Sequence, residues 1–198
     1  MTSTKTETNI EIERKYFSSY DLEEADVPET LIYKTSISHD RYYISPLGLI
    51  RLRDDEEKGI EITAKTYKKD NLHRREINLG LVNHINIRDC LEFAEVAGWT
   101  LRLEFVQRLK IWITGSCVIS QTNLEDVNGK PYHFSREIDF ITEHQAFPLA
   151  RFIEIEVLDV ETRQEAIKEI GRYQNLLGLR KKDIIKHSLI QLFGAYPR

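Results

Sequence analysis

Apolar and polar residues alternate with a period of two along much of the N-terminal half of the chain. The pattern predicts strands over Asn9–Phe17, Asp40–Ser45, Leu49–Asp54, Ile60–Tyr67 and Arg74–Leu81. Pro46 and Gly48 mark a turn between the second and third of these. In Ile85–Gly98 the apolar residues Ile87, Leu91, Ala94 and Val96 fall near helical spacing, and Gly98 suits a helix C-cap. Thr100–Ile113 alternates again as a long strand. Asn128-Gly129 is the strongest hairpin signal and joins Val118–Asp126 to Tyr132–Ile141. Phe152–Leu158 predicts a strand. Val160–Leu177 predicts a helix with Ala166, Ile170, Tyr173 and Leu177 on one face and Gly178 closing it, and Lys182–Phe193 predicts a final short helix. Many strands with three helices predict an α+β domain built on a barrel or a strongly curved antiparallel sheet. Residues 1–8 read as a disordered tail and residues 9–198 as a single domain.

The polar faces of these strands carry charge at successive alternate positions. Glu11, Glu13 and Lys15 share a face, as do Arg51 and Arg53; Glu61, Thr63 and Lys65; Arg74 and Glu76; Arg108 and Lys110; and Glu154 and Glu156. The intervening positions are largely apolar, for example Ile10 and Ile12, Ile60 and Ile62, Leu109 and Ile111, and Ile153 and Ile155. The tetrapeptide Ile10-Glu11-Ile12-Glu13 returns unchanged as Ile153-Glu154-Ile155-Glu156. Solvated outer faces would explain one such strand; six suggest that the charges line a common cavity. Spaced carboxylates suit a hard cation such as Mg²⁺ or Mn²⁺. Lys and Arg beside them suit a polyanion. Left empty, a cavity of unpaired ions would cost several kcal/mol per ion, and a metal–triphosphate complex satisfies both signs.

Composition narrows the alternatives. The 198 residues hold 28 Lys and Arg against 32 Asp and Glu, a net charge of −4, which argues against a nucleic-acid polymer as partner. No apolar run reaches the ~20 residues of a membrane helix. Met1–Thr8 lacks the apolar stretch of a signal peptide, so the expected location is cytoplasmic. Cys90 and Cys117 show no metal-binding spacing and read as small buried hydrophobes. His39, His73, His84, His133, His144 and His187 show no ligand spacing either.

The charged strands resemble the CYTH superfamily, the triphosphate tunnel metalloenzymes. The family's ExExK signature matches Glu11-Ile12-Glu13-Arg14-Lys15. Leu49 to Arg53 looks like its LRxR strand, Ile62 to Lys65 is similar to LTxK, and Arg74-Arg75-Glu76 resembles the RxE-type strand. Val106–Lys110 resembles a later strand with two basic residues, and Ile138-Asp139 followed by Phe152–Glu156 resembles the late acidic segment. Leu177 to Ser188 resembles the C-terminal helix. The matches run in order over roughly residues 9–192. Departures fall at Arg108 and Lys110, whose order is inverted, at Asn78, at Ser188-Leu189, and at Ala150-Arg151, where a glycine is usual; none removes a metal ligand.

The resemblance implies an eight-stranded antiparallel β-barrel tunnel with helices packed outside. It implies that Glu11, Glu13, Glu154 and Glu156, with Asp139, hold one or two Mg²⁺ or Mn²⁺ ions; separately, the looser geometry of Ca²⁺ would misplace a water, so Ca²⁺ is expected to inhibit. It implies that Lys15, Arg51, Arg53, Lys65, Arg108 and Lys110 grip a small-molecule triphosphate. Arg74 joins them by its strand face and Lys186 by its place on the C-terminal segment. Glu11, Glu13, Lys15 and Lys65 stand nearest the chemistry. Three functions remain open: a divalent-metal-dependent triphosphatase acting on inorganic triphosphate, thiamine triphosphate or a nucleoside triphosphate; a class IV adenylate cyclase; and a non-catalytic polyphosphate or nucleotide sensor. The oligomeric state is a monomer or a homodimer. Tyr42, Tyr43 and Trp112 could face the substrate, but packing is the simpler reading of each. Like carboxylates crowding one strand face predict that Glu154→Gln leaves the metal-free protein equally or more stable.

Overall fold

The computed structural model describes residues 12–45, 48–66, 76–81, 86–132, 151–158, 162–186 and 192. The strands are β1 (Ile12–Phe17), β2 (Ile32–Ser45), β3 (Gly48–Asp55), β4 (Gly59–Thr66), β5 (Glu76–Leu81), β6 (Thr100–Ile113), β7 (Cys117–Glu125), β8 (Arg151–Val157) and the two-residue β9 (Ile184–Ile185). They form one sheet in the order β5-β4-β3-β2-β6-β7-β8-β1-β9, with every neighbouring pair antiparallel. Among the described residues two α-helices accompany it, α1 (Ile87–Val96) and α2 (Arg163–Leu176). The α+β class expected from the sequence is therefore observed. No helix of the described residues is long and apolar enough to cross a membrane.

Strand alternation sends one set of side chains under the helices and the other to the opposite face. On the helix side of β1, β6, β7 and β8, the residues Tyr16, Trp112, Ile119, Ile153 and Ile155 form a core with Ala166, Ile170 and Tyr173 of α2. Each of these eight is almost fully removed from water, the main source of sheet–helix stabilisation. On β2–β4, Tyr43, Ile50, Leu52 and Ile60 pack with Cys90 and Ala94 of α1. Cys90 and Cys117 are both free and buried, as read from the sequence.

Local chemistry sets the boundaries. α1 starts after Asn86, whose side chain accepts a hydrogen bond from the Asp89 N–H at 3.0 Å. α2 starts after Thr162, which forms a reciprocal capping box with Glu165 and so holds residue 162 extended. The turn after β7 is tied by Asp126, whose side chain accepts from the N–H groups of Asn128 at 2.8 Å and Lys130 at 2.9 Å. Gly129 there adopts a φ of +77°, which favours glycine.

Two expectations change. β2 begins at Ile32, eight residues before the predicted start. Thr35, Ser36, Ser38 and His39 blur the alternation there by placing polar groups on both faces. The predicted helix Lys182–Phe193 instead opens with a 3-10 turn at Lys181–Asp183 and then β9, which pairs with Lys15 and Tyr16 of β1. Of the arm expected after the Asn128-Gly129 turn, Tyr132 is described: its N–H donates to the Leu124 carbonyl at 2.8 Å, next to a bridge between Glu125 and Pro131; the remainder, 133–141, lies outside the described residues.

Candidate functional site

The face of the sheet away from the helices carries the charged residues, and register shows which of them share it. Across β1 and β8, Glu13 stands opposite Glu156 and Lys15 opposite Glu154. Across β2 and β3, Asp40 stands opposite Arg53 and Tyr42 opposite Arg51. Across β3 and β4, Arg53 pairs with Glu61, Arg51 with Thr63 and Leu49 with Lys65, and Lys65 in turn stands opposite Glu76 of β5. Across β2 and β6, Ser38 stands opposite Gln107. Parity therefore places Glu13, Lys15, Arg51, Arg53, Glu61, Glu154 and Glu156 together, as the alternation predicts.

The sheet also curves toward this face. β3 and β8 are four strand spacings apart, about 19 Å in a flat sheet. Yet the charge of Arg53 on β3 is felt at Glu154 on β8. An apolar cluster of Phe17, Tyr42, Leu49, Phe105, Leu124 and Phe152, from six different strands, packs together on the same side and gives that concave face a dry end. The charged residues begin one alternation beyond it: Lys15 beside Phe17, Glu154 beside Phe152, Arg51 beside Leu49.

The ions are matched in a particular way. Lys15 Nζ lies 3.0 Å from Glu154 Oε1 and 3.9 Å from Glu13 Oε1. Burial alone would raise the Glu154 carboxyl. A hydrogen bond with Glu13 and the charges of Lys15 and Arg53 outweigh it and hold the group below the usual carboxylate range. Arg51 ion-pairs with Glu61 and donates to Thr63 Oγ1 at 2.8 Å. Burial alone would raise the Glu61 carboxyl too, but Arg51 and Thr63 draw it down. Arg53 donates from Nε and Nη2 to the two carboxylate oxygens of Asp40, at 2.7 and 2.8 Å. Among the described residues, Arg51 Nε and Ser38 Oγ on this face are buried without a hydrogen-bond partner, a feature that native interiors seldom leave unused.

The sequence expectation fails for β6. Arg108 and Lys110 share parity with Trp112, which is fully buried in the core under α2. They therefore lie on the opposite face from Lys15 and Glu154. Arg108 pairs with Glu125 at 2.8 Å. Lys110 binds the Leu22 carbonyl at 2.9 Å, Asp21 at 3.1 Å and Glu23 at 3.5 Å, fastening the segment that crosses the outer face. The residues of β6 that reach the concave face include Leu103, Phe105, Gln107, Leu109 and Ile111. Arg108→Ala should accordingly change stability by no more than the worth of the exposed pair it breaks, about 0–1 kcal/mol, as urea denaturation against the unsubstituted protein would measure.

Other candidates are placed as follows. Tyr42 is buried and donates to Asp40 Oδ2 at 3.3 Å, and Tyr43 packs under α1. His39 sits on the outer face between Arg41, 2.9 Å away, and Glu104, also 2.9 Å away. Lys186 is exposed just beyond β9. Glu11, Arg74 and Asp139, and the other five histidines, lie outside the described residues. The sequence reading missed two members of the face, Asp40 and Gln107. Asp40 has the parity of Tyr42 and lies in the strand half that was recognised, so strand pairing with Arg53 was the missing information.

Glu13, Glu154 and Glu156 offer hard oxygen donors from two paired strands, a chemistry that fits Mg²⁺ or Mn²⁺. Among the described residues no three acidic, His or Cys side chains converge as a ready-made cluster; Lys15 occupies the space beside Glu154.

The chain matches no protein-family model and no curated protein by sequence. Solved structures do match its fold. A protein of Pyrococcus horikoshii superposes with a TM-score of 0.63 at 18% identity, over 93% of this chain and 99% of that one. A candidate adenylate cyclase from Vibrio parahaemolyticus gives 0.56 at 13% identity, over 93% and 97%. A candidate adenylate cyclase from Bacillus halodurans gives 0.52 at 13% identity, over the same shares. This chain shares their fold. Identities this low carry the architecture alone, so the chemistry rests on the residues of the concave face.

Proposed function

We propose that the protein belongs to the CYTH superfamily, that its curved sheet completes the family's eight-stranded tunnel, and that it is a divalent-metal-dependent triphosphatase. The observation that carries this reading is the joint placement of Lys15, Arg51 and Arg53 with Glu13, Glu154 and Glu156 on one concave face. The ordered motif matches and the shared fold support it. Glu13, Glu154 and Glu156, with Glu11 and Asp139, would hold Mg²⁺ or Mn²⁺. A cation held there would polarise phosphoryl oxygens and offset their charge. Lys15, Arg51, Arg53, Lys65 and Arg74 would bind the triphosphate, Arg51 through its unpartnered Nε and Arg53 through the part of its fork that Asp40 leaves free. Fixed cations aimed at the transferring group favour the charge that develops on its oxygens. The apolar end formed by Phe17, Phe105 and Phe152 would keep bulk water from that side.

A second reading, a class IV adenylate cyclase, is favoured by the likeness to two candidate adenylate cyclases. The two differ in their products. Purified protein is incubated with Mg²⁺ or Mn²⁺ and, separately, inorganic triphosphate, thiamine triphosphate and ATP, with phosphate, pyrophosphate and cyclic AMP measured. The expected result is phosphate release that excess chelator abolishes. Cyclic AMP with pyrophosphate would establish the second reading instead. Full turnover in chelator would remove the metal, and no turnover of any substrate would leave a non-catalytic sensor.

A further inference from the structure

Among the described residues of the concave face, Asp40 is held by hydrogen bonds that a phosphate cannot readily displace. Asp40 is completely buried. It accepts two hydrogen bonds from the Arg53 fork, at 2.7 and 2.8 Å, one from Gln107 Nε2 at 2.6 Å and one from the Tyr42 hydroxyl at 3.3 Å. The four donors come from three strands, β2, β3 and β6. Two other cation pairs described on this face differ, because their acidic side chains reach solvent: that of Glu61 is 37% exposed and that of Glu154 23%. A ligand can draw Arg51 or Lys15 away from those partners. It cannot draw Arg53 from Asp40 without leaving a buried carboxylate half-satisfied, which costs several kcal/mol.

We infer that Asp40 is a positioning residue: braced by Gln107 and Tyr42, it fixes the Arg53 guanidinium so that Nη1 and the outer edge of Nη2 meet an incoming phosphate in one orientation. Resting on the triphosphate reading above, this separates three of its cations into a fixed one, Arg53, and two exchangeable ones, Lys15 and Arg51. It also reverses the sign that simple electrostatics gives. Asp40 is a negative charge beside an anion site, so its removal should strengthen anion binding if charge alone matters. If Asp40 positions Arg53, its removal weakens binding.

The test is Asp40→Asn, a near-isosteric change, with the fold checked by circular dichroism. Inorganic triphosphate binding is measured by calorimetry in wild type, Asp40→Asn, Arg53→Met and the double variant. The expected result is binding roughly tenfold weaker in Asp40→Asn and no further effect of Asp40→Asn once Arg53 is Met. Equal or tighter binding in Asp40→Asn would overturn the inference, as would additive effects in the double variant. The exchange rate of the Arg53 Nε proton, read by NMR on the ligand-free protein, decides the matter without a ligand. It should rise by about an order of magnitude in Asp40→Asn, and an unchanged rate would overturn the inference. Should wild type fail to bind triphosphate while that exchange behaves as expected, the functional reading fails and the positioning of Arg53 stands. If Asp40→Asn does not fold, Gln107→Leu, which removes one brace and retains the ion pair, should show the same faster exchange and weaker binding, and wild-type values there would overturn the inference.

Discussion

Glu154→Gln should lower triphosphate turnover by roughly 10²-fold or more, the scale of losing one preorganised electrostatic contact. The substitution keeps the side chain's volume and its place opposite Lys15 while removing the charge that a hard cation and Lys15 both need. Steady-state phosphate release in Mg²⁺ reads the effect, and a wild-type rate would show that the β1–β8 carboxylates are surface charges. The stability effect reverses the expectation from sequence. Crowded carboxylates alone would gain from neutralising one of them. Lys15 at 3.0 Å and the charge of Arg53 instead make ionised Glu154 the favoured state. Its carboxyl is held below the unfolded value, about 4.3, so its contribution is present above that pH and is lost as pH falls through the folded value. Glu154→Gln should therefore be less stable than wild type near neutral pH, and the gap should close in acid. Urea denaturation of the metal-free proteins at both pH values measures it; a more stable variant at neutral pH would show that carboxylate repulsion dominates after all.

The alternation of β1, β3, β4 and β8 made those strands legible because a half-buried sheet writes period two into its sequence, and here both signals agreed: apolar residues under helices and charges on the far side. β6 broke that rule. Its outer face is covered at Lys110 by the segment around Asp21–Glu23, whose carboxylates and Leu22 carbonyl make a polar lining, while half-exposed Arg108 pairs with Glu125. Charge there marks a tether, and the concave positions Leu109 and Ile111 look like core. Nothing local separates the two cases; pairing with Asn123 and Gln121 on β7 does. Asp40 was hidden for the complementary reason. A lone acidic residue two before a tyrosine carries no signal until β2 lies beside β3 and Arg53 comes within 2.7 Å. The first half of β2 and the β9 segment show the remaining limit: short or polar strands owe their conformation to the partner strand more than to their own propensity.

Lys15→Met should separate two roles that share one atom. In the metal-free protein Lys15 Nζ lies between Glu154 and Glu13, so a divalent cation approaching those carboxylates meets a positive charge already in place. Phosphate oxygens would be attracted by the same charge. Removing it while keeping most of the apolar stem should tighten Mn²⁺ binding in the absence of phosphate, by about tenfold for one nearby unit charge in a partly solvated cleft. It should also weaken binding of inorganic triphosphate in the absence of metal, and turnover should fall with the latter. Calorimetric titrations with Mn²⁺ alone and with inorganic triphosphate alone give the two signs independently of catalysis. In wild type each ligand should then favour the other: Glu154 holding a metal would release Lys15, and Lys15 holding phosphate would release Glu154. Coupling between two ligands is reciprocal, so the factor by which metal tightens triphosphate binding must equal the factor by which triphosphate tightens metal binding. In Lys15→Met this part of the coupling should vanish, leaving only direct attraction between the bound ions. Unchanged affinities for both ligands would place Lys15 outside the site and make its pair with Glu154 a structural strand contact.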